Sequence, residues 1–217
     1  DKTGAGKRMK ARRAAVAGMF YPADTAVLER TVAELLAAAP ASSDGAKAII
    51  APHAGYQYSG LTAAHAYRLL EGRRSMIRRV VLLGPAHRVY LRGMALPSTD
   101  TFTTPLGNVP IDTDAVERAL DLPGTQISDE AHADEHSLEV HLPFLQTVLE
   151  DFRIVPIVVG NCPPREVESV LSELWGGDET LIVVSSDLSH FHPYEIAREI
   201  DASTTARIEA RQATLHG

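Results

Sequence analysis

Arg78-Arg79-Val80-Val81-Leu82-Leu83-Gly84-Pro85-Ala86-His87 sets a short, unbroken apolar run between a basic pair and a Gly-Pro break. So short a run without alternation reads as a strand covered on both faces, the pattern of a parallel or mixed sheet. Upstream, residues 47–51 repeat it and stop at Pro52; downstream, residues 154–159 and 181–184 repeat it again. Segments with helical spacing lie between them. Residues 24–39 put Val27, Leu28, Val32, Leu35 and Leu36 on one stripe, with Asp24 placed to cap and Pro40 just behind the end. Residues 61–70, 164–175 and 194–210 read the same way, and 114–120 predict a shorter helix. Pro143 cannot sit unstrained inside a helix, so in residues 137–149 the helix is expected to begin near Leu142 or to kink there. Residues 41–45 are loop material, and residues 93–112, rich in Pro, Thr and turn formers, predict one or two edge strands. Strands alternating with helices predict an α/β fold, a central mixed sheet covered by helices on both faces.

The bulk composition bounds the rest. At 217 residues and 45% hydrophobic content the chain can bury a sizeable core. A single domain over residues 14–217 is expected, preceded by a flexible tail over 1–13 that holds the basic cluster from Lys7 to Arg13. Lys and Arg total 21 against 28 Asp and Glu, a net charge of -7, which lacks the basic footprint of nucleic-acid binding. No apolar run approaches the ~20 residues of a membrane span. The lone Cys162 forbids an internal disulfide and, with no charged-then-apolar leader at the start, points to a cytoplasmic protein. The sequence opens on Asp1 rather than Met and carries no obvious stop signal, so a natural chain longer at both ends is expected.

In sheets of this kind ligands sit beyond the carboxyl ends of the strands. Those ends read Ala51-Pro52-His53, Gly84-Pro85-Ala86-His87 and Ser185-Ser186-Asp187-Leu188-Ser189-His190. Imidazole is the commonest transition-metal ligand, because one neutral ring nitrogen offers a lone pair while the other can be pinned by a neighbour. A lone histidine after a strand is usually a hydrogen-bonded loop residue; three of them delivered to one edge predict a metal site formed by His53, His87 and His190. Asp187 and His190 stand three apart and share a face if that segment makes a helical turn, so the carboxylate can raise the ring's basicity for proton transfer; it can equally cap the turn. Asp134-Glu135-His136-Ser137-Leu138-Glu139-Val140-His141 has two readings as well. It is a capped, solvated helix start, or Glu135 or His136 reaches the same pocket, either behind a metal ligand or in contact with substrate. Tyr56 and Tyr58 can offer stacking surface there, although tyrosines in such places more often pack.

These motifs together, with Pro52-His53-Ala54-Gly55-Tyr56-Gln57-Tyr58-Ser59-Gly60, Leu83-Gly84-Pro85-Ala86-His87 and an early Ala14-Ala15-Val16-Ala17-Gly18-Met19-Phe20-Tyr21-Pro22, resemble the MEMO family. Its prokaryotic members are called AmmeMemoRadiSam system protein B. The resemblance covers nearly the whole chain. It implies a three-layer fold like that of the class III extradiol dioxygenases and a pocket for iron, most readily Fe2+, or copper. It implies that His53 and His87 are metal ligands and that Asp187 and His190 line the same pocket. It also implies a third ligand, a cysteine followed by glycine near the C-terminus, which no residue here matches; Cys162 reads as a plain loop cysteine.

Three functions follow as expectations. The first is a dioxygenase-like oxidoreductase in which Fe(II) leaves positions open for substrate and dioxygen while His190 moves a proton. A non-catalytic module that captures a peptide or protein on a vestigial metal pocket is the second. The third and weakest is a metal-dependent hydrolase, since no nucleophile elbow or phosphate-binding glycine loop is present. A small-molecule or peptide substrate is expected, and the family's name implies AMMECR-type and radical SAM partner proteins.

Overall fold

The structure, a computed structural model, describes residues 9–42 and 45–211. Most of the expected N-terminal tail, the middle of the 41–45 loop and the last six residues lie outside the described residues. The chain divides into two compact units, residues 1–186 and 187–217.

Among the described residues, every strand lies in the first unit. Its early elements are β1 (Ala11–Arg12), α1 (Thr25–Ala38), β2 (Ala48–Ala51), α2 (Tyr56–Arg68) and β3 (Arg79–Pro85). Next come β4 (Met94–Leu96), β5 (Thr101–Thr104), β6 (Gly107–Pro110), α3 (Thr113–Leu120), β7 (Thr125–Ile127) and α4 (Asp129–Ala133). It closes with α5 (His136–Glu139), α6 (Leu142–Val148), β8 (Arg153–Val159), α7 (Pro164–Leu174) and β9 (Thr180–Ser185). The main sheet runs β2-β9-β3-β8-β4-β7. Every pairing in it is parallel except β4 with β8, so the sheet is mixed, as the apolar runs predict. Its centre is apolar on both faces: Val80, Val81, Leu82, Ile154, Val155 and Ile157 are all sealed from solvent, whereas edge strand β2 alternates, with Ile49 buried and Ile50 exposed. Helices α1, α2 and α6 pack on one another in one layer, and α3 packs on α7 in a second.

Local chemistry sets the helix ends. Asp24 caps α1 by accepting from the Val27 N–H, Asp112 caps α3 by accepting from Ala115, and Pro143 sits in the first turn of α6, where no amide donor is missed. Three stretches differ from the sequence expectation. Helix α2 starts at Tyr56 and not at 61, because Gly60 lies where a Cβ would stand 2.9 Å from Leu35 Cδ1; the glycine permits close packing of α1 and does not break the helix. Residues 93–112 supply three strands, and one of them, β4, lies inside the main sheet. The third difference is at the N-terminus. β1, within the expected tail, pairs with β5 in a second sheet of order β1-β5-β6. Arg12 is buried there, ion-paired with Glu139 and stacked over Phe102 at 5.2 Å.

The second unit holds α8 (Tyr194–Glu209), no residue of which is buried. Within it the Ser189 N–H donates to Asp201 Oδ1 at 2.9 Å.

Candidate metal centre

β2 and β3 are not neighbours; β9 runs between them, so their carboxyl ends stand about two strand spacings, or roughly 10 Å, apart. His53 follows β2, His87 follows β3, and the two rings close that gap to 5.1 Å between centroids. A third imidazole enters from above the sheet edge. His136, the first residue of α5, stacks on His87 at 4.5 Å and meets His53 edge-on at 5.6 Å. One ligand-capable nitrogen from each of the three lies within 4.8 Å of the others. Three nitrogens spread evenly at about 2.1 Å from a shared ion stand about 3.6 Å from one another, so the cluster needs to contract by up to about 1.2 Å to hold one. His53 is buried, His136 is half-buried with Phe20 packed on it at 4.6 Å, and His87 is exposed.

Glu135 is buried and has two sets of partners. It caps α5, its Oε1 accepting from the Ser137 N–H at 2.9 Å, and it reaches His87 through Oε1 to Nδ1 at 2.8 Å and Oε2 to the backbone N–H at 2.6 Å. Burial alone would raise its pKa, but the bonds from His87 and Ser137 outweigh that and hold the carboxyl below its ordinary value. Burial lowers His136 to about 4; the charge of Glu135 opposes this, while His87, His53 and Arg88 add to it. Near neutral pH His136 is therefore a lone-pair donor, the form a metal takes. The turn fits over β3 only because residue 84 is glycine. A Cβ there would meet Leu138 Cδ2 and Ser137 Oγ, each at 2.8 Å. Gly84→Ala is expected to cost about 1–3 kcal/mol in urea unfolding through this overlap, and to weaken metal uptake as the turn is pushed off the sheet.

The other expected site residues sit as follows. Tyr56 is buried, its hydroxyl donating to the Val140 carbonyl at 2.6 Å and its ring 5.0 Å from Phe144; Tyr58 is 79% exposed. Asp187 and His190 belong to the second unit, where the His190 ring is more than half exposed and its Nε2 lies 3.7 Å from Asp187 Oδ2. Cys162 is partly exposed, and burial pushes its thiol pKa up. The ligand set expected from the sequence is His53, His87 and His190; the set the structure brings together is His53, His87 and His136. His136 is expected from the sequence as a group behind a ligand or against substrate, not as a ligand, because nothing in its spacing says that the turn folds back over the end of β3. The acid and histidine cluster around it was the available signal.

A mixed sheet between helical layers with imidazoles gathered at the carboxyl ends of its strands defines a class: an α/β protein with a candidate metal site at its sheet edge. Residues 12–215 match the family model described as Memo-like protein. A MEMO1 family protein of Aquifex aeolicus is 40% identical over 205 residues, 93% of this chain and 75% of the relative. One from Archaeoglobus fulgidus is 39% identical, over 88% of this chain and 72% of its own. Protein MEMO1 of Xenopus laevis is 38% identical, over 85% of this chain and 64% of its own. The chain belongs to the Memo-like family.

Proposed function

We propose that this protein binds a transition metal through His53, His87 and His136 and acts as a dioxygenase-like oxidoreductase. The observation that carries the reading is the gathering of three imidazoles at one sheet edge, each with a nitrogen within reach of a common ion. An all-nitrogen donor set suits iron and copper, the metals the resemblance implies, as well as zinc. Bound iron or copper would supply one-electron chemistry and leave positions for substrate. The chain's own residues orient the ligands, exclude water on the His53 side and keep His136 unprotonated. A role for His190 in proton movement, with Asp187 3.7 Å from its ring, rests on the family resemblance. A small-molecule or peptide substrate, and work alongside AMMECR-type and radical SAM proteins, rest on the family resemblance.

Elemental analysis after oxygen-free purification tests the metal. Iron or copper is expected in the unaltered protein, while His53→Ala and His136→Ala should each lose nearly all of it. Retention of full metal by His136→Ala would remove that residue from the ligand set. Oxygen uptake by the iron-loaded protein across phenolic substrates tests the chemistry.

A second reading draws on the groove beside the cluster. A cleft of about 500 Å³ runs between residues 18–22 and 56–61, with Met19 69% and Tyr58 79% exposed along it. Such a surface suits capture of an extended peptide. Peptide binding that survives replacement of both His53 and His87 by alanine would favour that reading.

A further inference from the structure

We propose that Ser185 and Glu135 are positioning residues that fix His53 and His87 in the same tautomer, proton on Nδ1 and lone pair on Nε2, with Ser137 as the shared anchor. The inference rests on the metal reading above only for its consequence; the tautomers themselves follow from hydrogen-bond accounting.

For His53 the chain of deduction starts at a carbonyl. Ser185 Oγ lies 2.6 Å from the Ser137 carbonyl oxygen, which can only accept, so the single hydroxyl hydrogen is spent there. Toward His53 Nδ1, 2.8 Å away, Ser185 has only a lone pair left, and Nδ1 must carry the proton. For His87 the deduction starts at a carboxylate. Both Glu135 oxygens accept from backbone amides, Oε2 from His87 and Oε1 from Ser137, so Oε1, 2.8 Å from His87 Nδ1, is an acceptor there too and the proton again belongs on Nδ1. In each neutral ring the metal-binding lone pair is then on Nε2.

The two devices meet in one turn. Glu135 holds His87, His136 brings the third ring, and the Ser137 carbonyl holds Ser185, which holds His53. Ser137 is itself fixed by its N–H to Glu135 and by its hydroxyl to the Pro85 carbonyl at 2.8 Å. Ser185 arrives from the other side, as the last residue of β9, in register with Ala51 two residues before His53. Glu135, Ser137 and Ser185 are all buried, so water does not compete for these bonds. Neighbours of this kind, behind a ligating ring, set its orientation and basicity, and their loss typically lowers metal affinity about 10- to 100-fold.

Long-range proton–nitrogen correlation spectra of the metal-free protein, labelled with 15N-histidine, read the tautomers directly. The unaltered protein should show His53 and His87 protonated on Nδ1. Ser185→Ala should convert His53 to a mixture, Ser185→Thr should restore the single form, and Co(II) affinity should fall about 10- to 100-fold in the first and recover in the second. A His53 proton on Nε2 in the unaltered protein, or an unchanged His53 spectrum in Ser185→Ala, would overturn the proposal. Should Ser185→Ala fail to fold, the unaltered protein's spectrum decides on its own. Correct tautomers in a protein that binds no Co(II) would uphold the positioning and sink the metal reading instead.

Discussion

Glu139→Leu is expected to lower the free energy of unfolding by about 3–5 kcal/mol, the cost of stranding a buried charge. Glu139 is sealed from solvent and accepts from the Ala15 N–H at 2.8 Å, the Val16 N–H at 3.0 Å and the Tyr21 hydroxyl at 2.6 Å, besides its ion pair with Arg12. Without it, a guanidinium 4% exposed keeps only the carbonyls of His132 and Glu135. Burial, with the charge of Glu139 second, already drives the Tyr21 phenol pKa up, so that hydroxyl remains a donor in search of an acceptor. The double variant Arg12→Met/Glu139→Leu should recover part of the loss and not all of it, since the two amides and the phenol stay unpaired. Urea unfolding measures both. A single variant within about 1 kcal/mol of the parent would mean that water reaches this ion pair.

Acid is the second strong lever. His132 and His141 are buried and their pKa values lowered, mainly by burial, to about 4 and about 3, against 6.5 in the unfolded chain. Groups shifted down lend stability that is whole above pH 6.5 and drains as pH falls toward the folded values, because the unfolded chain takes up protons the folded one refuses. A shift of this size at His132 is worth on the order of 3 kcal/mol. The metal-free protein should therefore soften steeply between pH 6.5 and 4. His136 titrates over the same interval, so the share owed to His132 is read by difference from His132→Gln, whose unfolding should depend less on pH there. Equal slopes for parent and variant would mean that His132 is not buried neutral.

Much of the framework can be read from the chain alone. The four apolar runs are β2, β3, β8 and β9 to within a residue or two; β3, β8 and β9 are continuously apolar because both their faces are covered, whereas edge strand β2 is apolar although Ile50 is exposed. Helices α1, α3 and α7 follow from stripes and caps for the same reason. What spacing cannot convey is long-range partnership. Arg12 looks like part of a basic, solvated tail until Glu139, 127 residues on, is seen to hold it. β4 has only three residues, and its place inside the sheet depends on β8 and β7 flanking it. At the site, His53 and His87 were legible because each terminates a strand. Ser185 was not, because a serine at the end of an apolar run carries no mark of the ring it will touch.

The insertion of β9 between β2 and β3 has a consequence for how the protein is made. A nascent polypeptide that has left the ribosome up to residue 175 already contains His53, His87 and His136, yet it lacks the strand that spaces the first two and the hydroxyl that sets the first. Assembly of the cluster must wait for a pairing between segments more than a hundred residues apart, a slow class of closure. On the proposed metal reading, loading of an ion would then follow synthesis, with the topology guarding against capture of a stray ion by a half-built chain.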